Sequence, residues 1–196
     1  MEIPLRLKKD PSGRLVYSIP LWYRIITALM LAAIIVALIS SGGTPSIVAW
    51  IILILLVLGL LYEERWIADT KAKRFLHSGG IWPLVKTTSL DFSELEGFRL
   101  SAFARGTVQG SADEKAEEAR AYAIMEGRDR PDPAVKSFLG MGHKKPYIHL
   151  IAYTKDNNAY LMDSLPARKA SRLKKAGAAF AEACETTFGN GERTED

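Results

Sequence analysis

The sequence offers few residues from which an enzyme site could be built. Among 196 residues there are one cysteine, Cys184, and three histidines. A single cysteine excludes an intramolecular disulfide and a zinc site built from cysteines. His77, His143 and His149 share no metal-ligand spacing with one another or with acidic residues. We therefore predict that the protein holds no metal.

Motifs that carry catalysis are missing as well. The chain contains no phosphate-binding loop, no dinucleotide-binding glycine pattern, no nucleophile elbow and no HExxH metalloprotease motif. The positions of three nearby acids, Asp91, Glu94 and Glu96, are typical of solvated side chains at the start of a strand. The position of Cys184 is typical of a residue that packs on the apolar face of a helix. Ser171 and Lys174 share a helix face, but nothing orients a nucleophile there. We predict a protein that is not an enzyme and needs no cofactor.

Charge is absent from a long central stretch of the N-terminal third. Between Ile25 and Tyr62 there is no Asp, Glu, Lys, Arg or His. Two apolar runs, 25–39 and 47–62, flank the uncharged turn 40–46. With their neighbours they approach the roughly 20 residues that cross a ~30 Å hydrocarbon core. Neither run has a polar stripe, as expected of a helix surrounded by lipid or by a large protein.

The length of the chain and the charges around the runs favour a membrane hairpin with spans at about 21–41 and 45–62. A chain of 196 residues is too small to surround two such helices. The alternative, a cleaved signal peptide, would have a long basic region and no clear cleavage site. Cations flank both outer ends of the pair and none lies in the turn. The positive-inside rule then places both termini in the cytoplasm of a bacterium, in a multi-pass protein of the inner membrane.

Overall charge argues against a nucleic-acid partner. After residue 62 the chain has 21 Lys and Arg against 20 Asp and Glu, so this part is almost neutral. The excess of positive charge lies in the first 24 residues, and a basic segment 1–20 at the cytoplasmic side explains it. Membrane lipids and a membrane protein complex are the partners we expect.

The region 63–188 has the pattern of a soluble α+β domain. Short strand-like segments follow the second run, with turns predicted around Asp69 and at 155–158. A helix is predicted from about Leu165 to Thr187, with Asp163 or Ser164 as its cap. Its apolar face comprises Leu173, Gly177, Phe180, Cys184 and Phe188. Antiparallel strands closed by one amphipathic helix are an α+β arrangement, and 189–196 is predicted to be a disordered tail.

The stretch ADTKAKRFLHSGGIWPLVKTTSLDFSELEGFRL resembles the opening of the bacterial pleckstrin-homology-like (bPH) domain. The family pattern is a turn, a strand with a basic residue, a glycine, and a strand leading into a polar and apolar segment. The matching positions are Thr70, Arg74, Gly79 or Gly80, Leu90, Phe92, Leu95 and Phe98. Two spans before such a domain are common in that family, and the photosystem I assembly protein family is similar in layout. The resemblance covers about residues 17–105 with the final hairpin and helix.

The resemblance implies a strongly bent antiparallel sheet capped by a C-terminal helix. It also implies scaffolding or assembly at membranes rather than catalysis. One departure from the family is an insertion at about 106–145, where a capping box at Ser111 predicts a helix ending near Gly127. Insertions of this length are functional or disordered. A partner contact and a mobile surface excursion both remain open.

Two groups of cations are candidates for contact with lipid or a partner. The first lies at the start of the C-terminal helix and comprises Arg168, Lys169, Arg172, Lys174 and Lys175. Cations there oppose the helix dipole, and each gains ~1 kcal/mol near anionic headgroups; a solvated basic face is the alternative. The second group is Lys71, Lys73 and Arg74, which the positive-inside rule explains equally well.

Overall fold

The computed structural model describes residues 5–42, 46–104, 112–128 and 146–190. The chain divides into two compact units, Met1–Ser89 and Leu90–Asp196. Helices and antiparallel strands occur in both units, so the prediction of a mixed α+β protein is confirmed.

The first unit contains a five-stranded sheet and both apolar helices. Its strand order is β1-β2-β3-β4-β5, which is also the order along the chain. The elements are β1 Arg6–Lys9, β2 Leu15–Ser18, α1 Leu21–Ser41, α2 Ile47–Leu61, β3 Tyr62–Asp69, β4 Arg74–Ile81 and β5 Leu84–Asp91, the last of which crosses the boundary between the units. The sequence does not predict β1 and β2. Each is only four residues long, and the cations of β1 are interpreted as part of a basic segment before a membrane span.

Local signals explain where the apolar helices begin and end. Pro20 precedes α1, and Gly42 ends it in the left-handed conformation with φ 60°. The Ser46 hydroxyl accepts a hydrogen bond from the Ala49 N–H and thereby caps α2. The two helices contact each other where Gly59 approaches the Thr27 methyl group. Among the helices described, α1 alone has the length and composition of a membrane span, since α2 has 15 residues.

The second unit packs two helices against a four-stranded sheet of order β8-β7-β6-β9. Its elements are β6 Leu95–Ala104, α3 Ala112–Met125, β7 Pro146–Thr154, β8 Ala159–Pro166, α4 Ala170–Cys184 and β9 Thr187–Asn190, with short 3-10 helices at Phe92–Glu94 and Ala167–Lys169. β9 runs parallel to β6, whereas the other pairs are antiparallel. The predicted disordered tail therefore begins inside a strand, and residues 191–196 lie outside the described ranges.

The core of the second unit lies between one face of the sheet and α4. Phe98, Leu150, Leu173 and Phe180 are fully buried, and the rings of Phe98 and Phe180 lie 5.8 Å apart. A Cβ on Gly177 would collide with the Phe188 ring, so the helix approaches the sheet closely there. The predicted apolar face is confirmed for the four residues that lie on α4.

The predicted cap of the C-terminal helix is wrong. Pro166, and not Asp163 or Ser164, precedes the first helical turn, and no side chain caps it. Asp163 instead accepts a hydrogen bond from the N–H of Ser164 at 2.7 Å. Because β8 continues to Pro166, both polar residues are held in the strand.

The helix predicted in the insertion is confirmed and belongs to the second unit. Ala121 on α3 is fully buried, and the Tyr122 hydroxyl accepts a hydrogen bond from the Ala102 N–H at 3.1 Å. The helix thus covers the edge of β6 beyond the part paired with β9. Ser111 and the rest of the insertion lie outside the described residues.

Gly97 allows β9 to pair with β6, which leads to a first prediction. A Cβ at Gly97 would lie 2.5 Å from the Thr187 Oγ1 and 2.7 Å from the Thr187 carbonyl oxygen. We expect Gly97→Ala to cost about 1–3 kcal/mol and to speed amide hydrogen exchange in residues 187–190. Gly189→Ala is the matched control, since its Cβ would make an ordinary 3.7 Å contact with Arg99. Equal exchange in the two variants would contradict the prediction.

Candidate functional site at the base of the apolar helices

Both apolar helices leave the first sheet from one end. β2 leads through Ile19 and Pro20 into α1, and β3 begins directly after α2. β2 and β3 are antiparallel neighbours, with Ser18 opposite Arg65. The start of α1 and the end of α2 are therefore held side by side. We call this the helix end of the sheet, and the opposite end, with the β1–β2 and β3–β4 turns, the turn end.

An exposed apolar tip lies beside the end of α2. Tyr62 pairs with Ile81, which brings the β4–β5 turn to the helix end. The Trp82 N–H donates a hydrogen bond to the Leu61 carbonyl oxygen at 3.0 Å. Trp82 is 64% exposed and Leu84 85%. An exposed tryptophan at this level is what a membrane interface favours.

The surfaces of both helices are apolar and uncovered. Only 6% of the most apolar window of α1 is buried, so α1 is not the core helix of a soluble fold. On α2, Ile47, Trp50 and Leu55 are all more than half exposed. A soluble monomer rarely leaves an apolar patch of this size in water.

A cleft of about 440 Å³ lies along the first sheet at the start of α1. The strand register explains its position, because Lys8, Val16 and Ile67 are opposite one another and share a face with Ser18 and Arg65. We call it the basic cleft. Its lining comprises Lys8, Lys9, Asp10, Pro11, Arg14, Val16, Ser18, Ile19, Leu21, Arg24, Glu63, Glu64, Arg65 and Ile67.

Two of the cleft's arginines are already paired with carboxylates. Arg14 donates to Asp10 at 2.7 Å, which holds the pKa of that carboxyl below its usual value. The Ser12 hydroxyl also donates to Asp10 and supports the same shift. Arg65 forms an ion pair with Glu63. Because these carboxylates compensate Arg14 and Arg65, the excess positive charge of the cleft comes from other residues.

That excess is carried by Lys8, Lys9 and Arg24. None of the three makes an ion pair in the ranges that the structure covers. The Nε of Arg24 is buried and has no hydrogen-bond acceptor there. A buried donor without an acceptor costs about 1–3 kcal/mol. Five cations and three carboxylates line the cleft, which leaves two excess positive charges.

The predicted group Lys71, Lys73 and Arg74 lies at the turn end of the sheet. Lys71 and Lys73 lie in the turn between β3 and β4, and Arg74 begins β4. This turn is at the end of the strands farthest from the helices, and all three residues are exposed. The eight residues of β3 separate them from α2 by about 25 Å. Since the Debye length is about 8 Å in physiological salt, their attraction to a surface at the helix end would be screened.

The predicted group on the C-terminal helix is exposed as a whole. Arg168 and Lys169 lie on the short 3-10 helix before α4, and Arg172, Lys174 and Lys175 lie on α4 itself, away from the buried Leu173 and Phe180. All five cations are exposed. These five cations belong to the second unit, whereas the basic cleft and the turn-end cations belong to the first.

The sequence also raises a ligand site shaped by the basic helix with Tyr147, Tyr153 and Tyr160, and the structure does not bring these residues together. Tyr147 and Tyr153 lie on the face of β7 opposite to Ile148 and Leu150, and α4 covers the latter face. Tyr160 is opposite Ala152, on the buried side. A ligand site formed jointly by the basic helix and these three tyrosines is therefore not supported by the geometry.

The remaining titratable candidates are held by packing. The His77 ring stacks on Trp66 with centroids 3.8 Å apart, and His149 lies 5.0 Å from the Phe103 ring. Burial lowers the pKa of both histidines, and it raises the pKa of the Cys184 thiol to about 12. Cys184 therefore stays protonated and unreactive near neutral pH. No metal-binding group of three His, Cys, Asp or Glu occurs within the described ranges.

The basic cleft is the feature that sequence reasoning misses. In the sequence, these cations indicate only the orientation of a membrane span. They come together in one cleft because β2 pairs with β3, which follows both helices in the chain. No protein-family model matches the sequence, and comparison with curated proteins finds no match. The resemblance to bPH domains therefore stays a prediction based on the residues.

Proposed function

We propose that the chain is a non-enzymatic protein anchored in a bacterial cytoplasmic membrane by α1 and α2. It presents its α+β units at the cytoplasmic face and acts as a scaffold, assembly factor or accessory subunit of a membrane protein complex. The finer fold assignment, a PH-like domain after the hairpin, belongs to the same proposal. It is supported by the motif resemblance and by the C-terminal helix packed on a largely antiparallel sheet.

The observation that carries the proposal is the pairing of β2 with β3. Because these neighbouring strands hold the start of α1 and the end of α2 together, a chain that enters the bilayer through α1 must return through α2. The exposed apolar surfaces of the helices supply the free energy of insertion. The Trp82 tip at the helix end fits the headgroup region of the same membrane.

The lengths of the helices are compatible with a hairpin. The 21 residues of α1 extend about 32 Å and the 15 residues of α2 about 22 Å. A short span is accommodated by local thinning of the bilayer or by interfacial anchors. Tyr62 and the β4–β5 tip directly after α2 are suitable anchors.

Cysteine labelling tests the topology, because the native thiol is buried and unreactive. We expect Ser41→Cys, at the exposed end of α1, to react with a membrane-impermeant maleimide in intact spheroplasts. Ser12→Cys, in the exposed β1–β2 turn, is expected to react only after lysis. Labelling of both cysteines from outside, or of Ser12→Cys alone, would contradict the proposed hairpin. The unsubstituted chain is the control for background labelling.

Affinity purification in mild detergent tests the proposed role in a complex. We expect the full chain to co-purify with a membrane protein partner in stoichiometric amount. A solitary monomer across detergents and growth conditions would argue against a scaffold or an assembly factor.

A second candidate function is the binding of anionic lipid or a small ligand at the membrane surface. The specific observation that favours it is the excess positive charge of the basic cleft beside the start of α1.

A further inference from the structure

We propose that the basic cleft binds the phosphate group of an anionic phospholipid headgroup. This inference rests on the proposed membrane anchoring, since it places the helix end of the sheet at the headgroup layer. The proposed ligand is a lipid phosphate, and its site is separate from the cation groups at 71–74 and 168–175.

Arg24 provides the first argument. It lies in the first turns of α1, directly after the strand that leads into the helix. Its buried Nε has no acceptor in the described structure. A guanidinium presents N–H donors in a planar fork that matches two oxygens of a phosphate. Because Arg24 lines the cleft, a phosphate bound there would accept hydrogen bonds from its guanidinium.

The charges of the cleft provide the second argument. Asp10 and Glu63 are occupied by Arg14 and Arg65, which keeps these carboxylates from neutralising the other cations. The remaining acid, Glu64, accepts a hydrogen bond from the Tyr62 hydroxyl at 3.0 Å. Lys8, Lys9 and Arg24 thus share the cleft with a single further carboxylate. An anion of charge −1 or −2 would compensate this group.

The apolar part of the lining favours a lipid over a free anion. Ile19, Leu21 and Ile67 line the same cleft as the cations. Leu21 begins α1 and is exposed, so the cleft continues into the apolar surface of the helix. A phospholipid can place its phosphate on Arg24 and its glycerol and acyl chains along α1. Inorganic phosphate has no group that would use these apolar contacts.

Native mass spectrometry of the full chain in detergent tests the proposal, with phosphatidylglycerol and phosphatidylcholine as probes. We expect the wild type to retain phosphatidylglycerol preferentially. In the triple variant Lys8→Gln/Lys9→Gln/Arg24→Gln, this preference should fall at least about tenfold, because three cations beside the headgroup are lost. The matched control is Lys71→Gln/Lys73→Gln/Arg74→Gln, which removes the same charge at the turn end and should keep the preference.

Three further results separate the possible interpretations. Arg24→Lys keeps the charge and removes the planar guanidinium with its paired N–H donors. It should therefore reduce the preference for phosphatidylglycerol while leaving the circular dichroism spectrum unchanged. Equal retention of the two lipids by the wild type, or equal loss in both triple variants, overturns the proposal. Displacement of phosphatidylglycerol by millimolar inorganic phosphate overturns the lipid as ligand and assigns the cleft to free phosphate. The hairpin is tested separately by cysteine labelling, which does not depend on lipid retention.

Discussion

Ala32→Arg/Ile54→Arg is expected to release the chain from membranes. Ala32 and Ile54 lie near the middle of α1 and α2, and both are exposed on the helix surface. An arginine at the centre of an inserted helix costs about 3 kcal/mol on insertion-based scales. Two such residues cost about 6 kcal/mol together, which shifts the partition between membrane and aqueous phase by about four orders of magnitude.

Carbonate extraction of membrane vesicles measures this release. The wild type should stay in the pellet, and the double variant should move to the supernatant or be degraded. The double variant Thr87→Arg/Ala178→Arg is the matched control, because it adds the same two charges at exposed positions of the sheet and of α4. If Ala32→Arg/Ile54→Arg sediments like this control, the two helices are not embedded in lipid and the proposed function fails.

Phe180→Ala is expected to destabilise the second unit by about 3–5 kcal/mol. Phe180 is fully buried on α4 and contacts Phe98 of β6, so its removal leaves a cavity between helix and sheet. Domains are typically stable by about 5–15 kcal/mol. The loss is therefore a large fraction of the stability of this unit.

Hydrogen exchange of the full chain in detergent reports this effect by segment. Peptides from β6, β7 and α4 should exchange about a hundredfold faster or more in Phe180→Ala, because 1.4 kcal/mol corresponds to a factor of ten. Ala178→Gly on the exposed face of the same helix is the control and should cost about 1 kcal/mol. Equal acceleration in the two variants would show that the Phe180 ring does not hold the core together.

Local patterns predict much of the fold. The Asp69 turn places β3 and β4 correctly, since the Asp69 carboxylate accepts hydrogen bonds from the N–H groups of Lys71 and Ala72 at 3.0 Å. The 155–158 turn connects β7 and β8 as expected, with Asn157 at φ 61°. The buried face of α4 follows from helical spacing alone. These features depend on neighbours within a few residues, which the sequence displays directly.

Features formed by distant pairing are not visible in the sequence. β9 is four residues long and exists through its parallel register with β6, about ninety positions earlier. β1 and β2 depend on β3, which follows two helices later. The basic cleft also depends on distant pairing, because Arg24, Lys8 and Arg65 come close together only in the assembled sheet. The spacing of these residues along the chain does not show that they line one cleft.

Because α1 and α2 lie between β2 and β3 in the sequence, these two strands can pair only after both helices have been synthesised. The β1–β2 hairpin leaves the ribosome complete, but its partner strand follows later, since Arg65 is 47 positions after Ser18. At about 5–20 residues per second, that interval lasts roughly 2–10 s. In the proposed topology both apolar segments are inserted into the membrane during this time, while β2 still lacks β3 at its edge. In the proposed topology, folding of the first sheet therefore waits until the helical hairpin has entered the membrane.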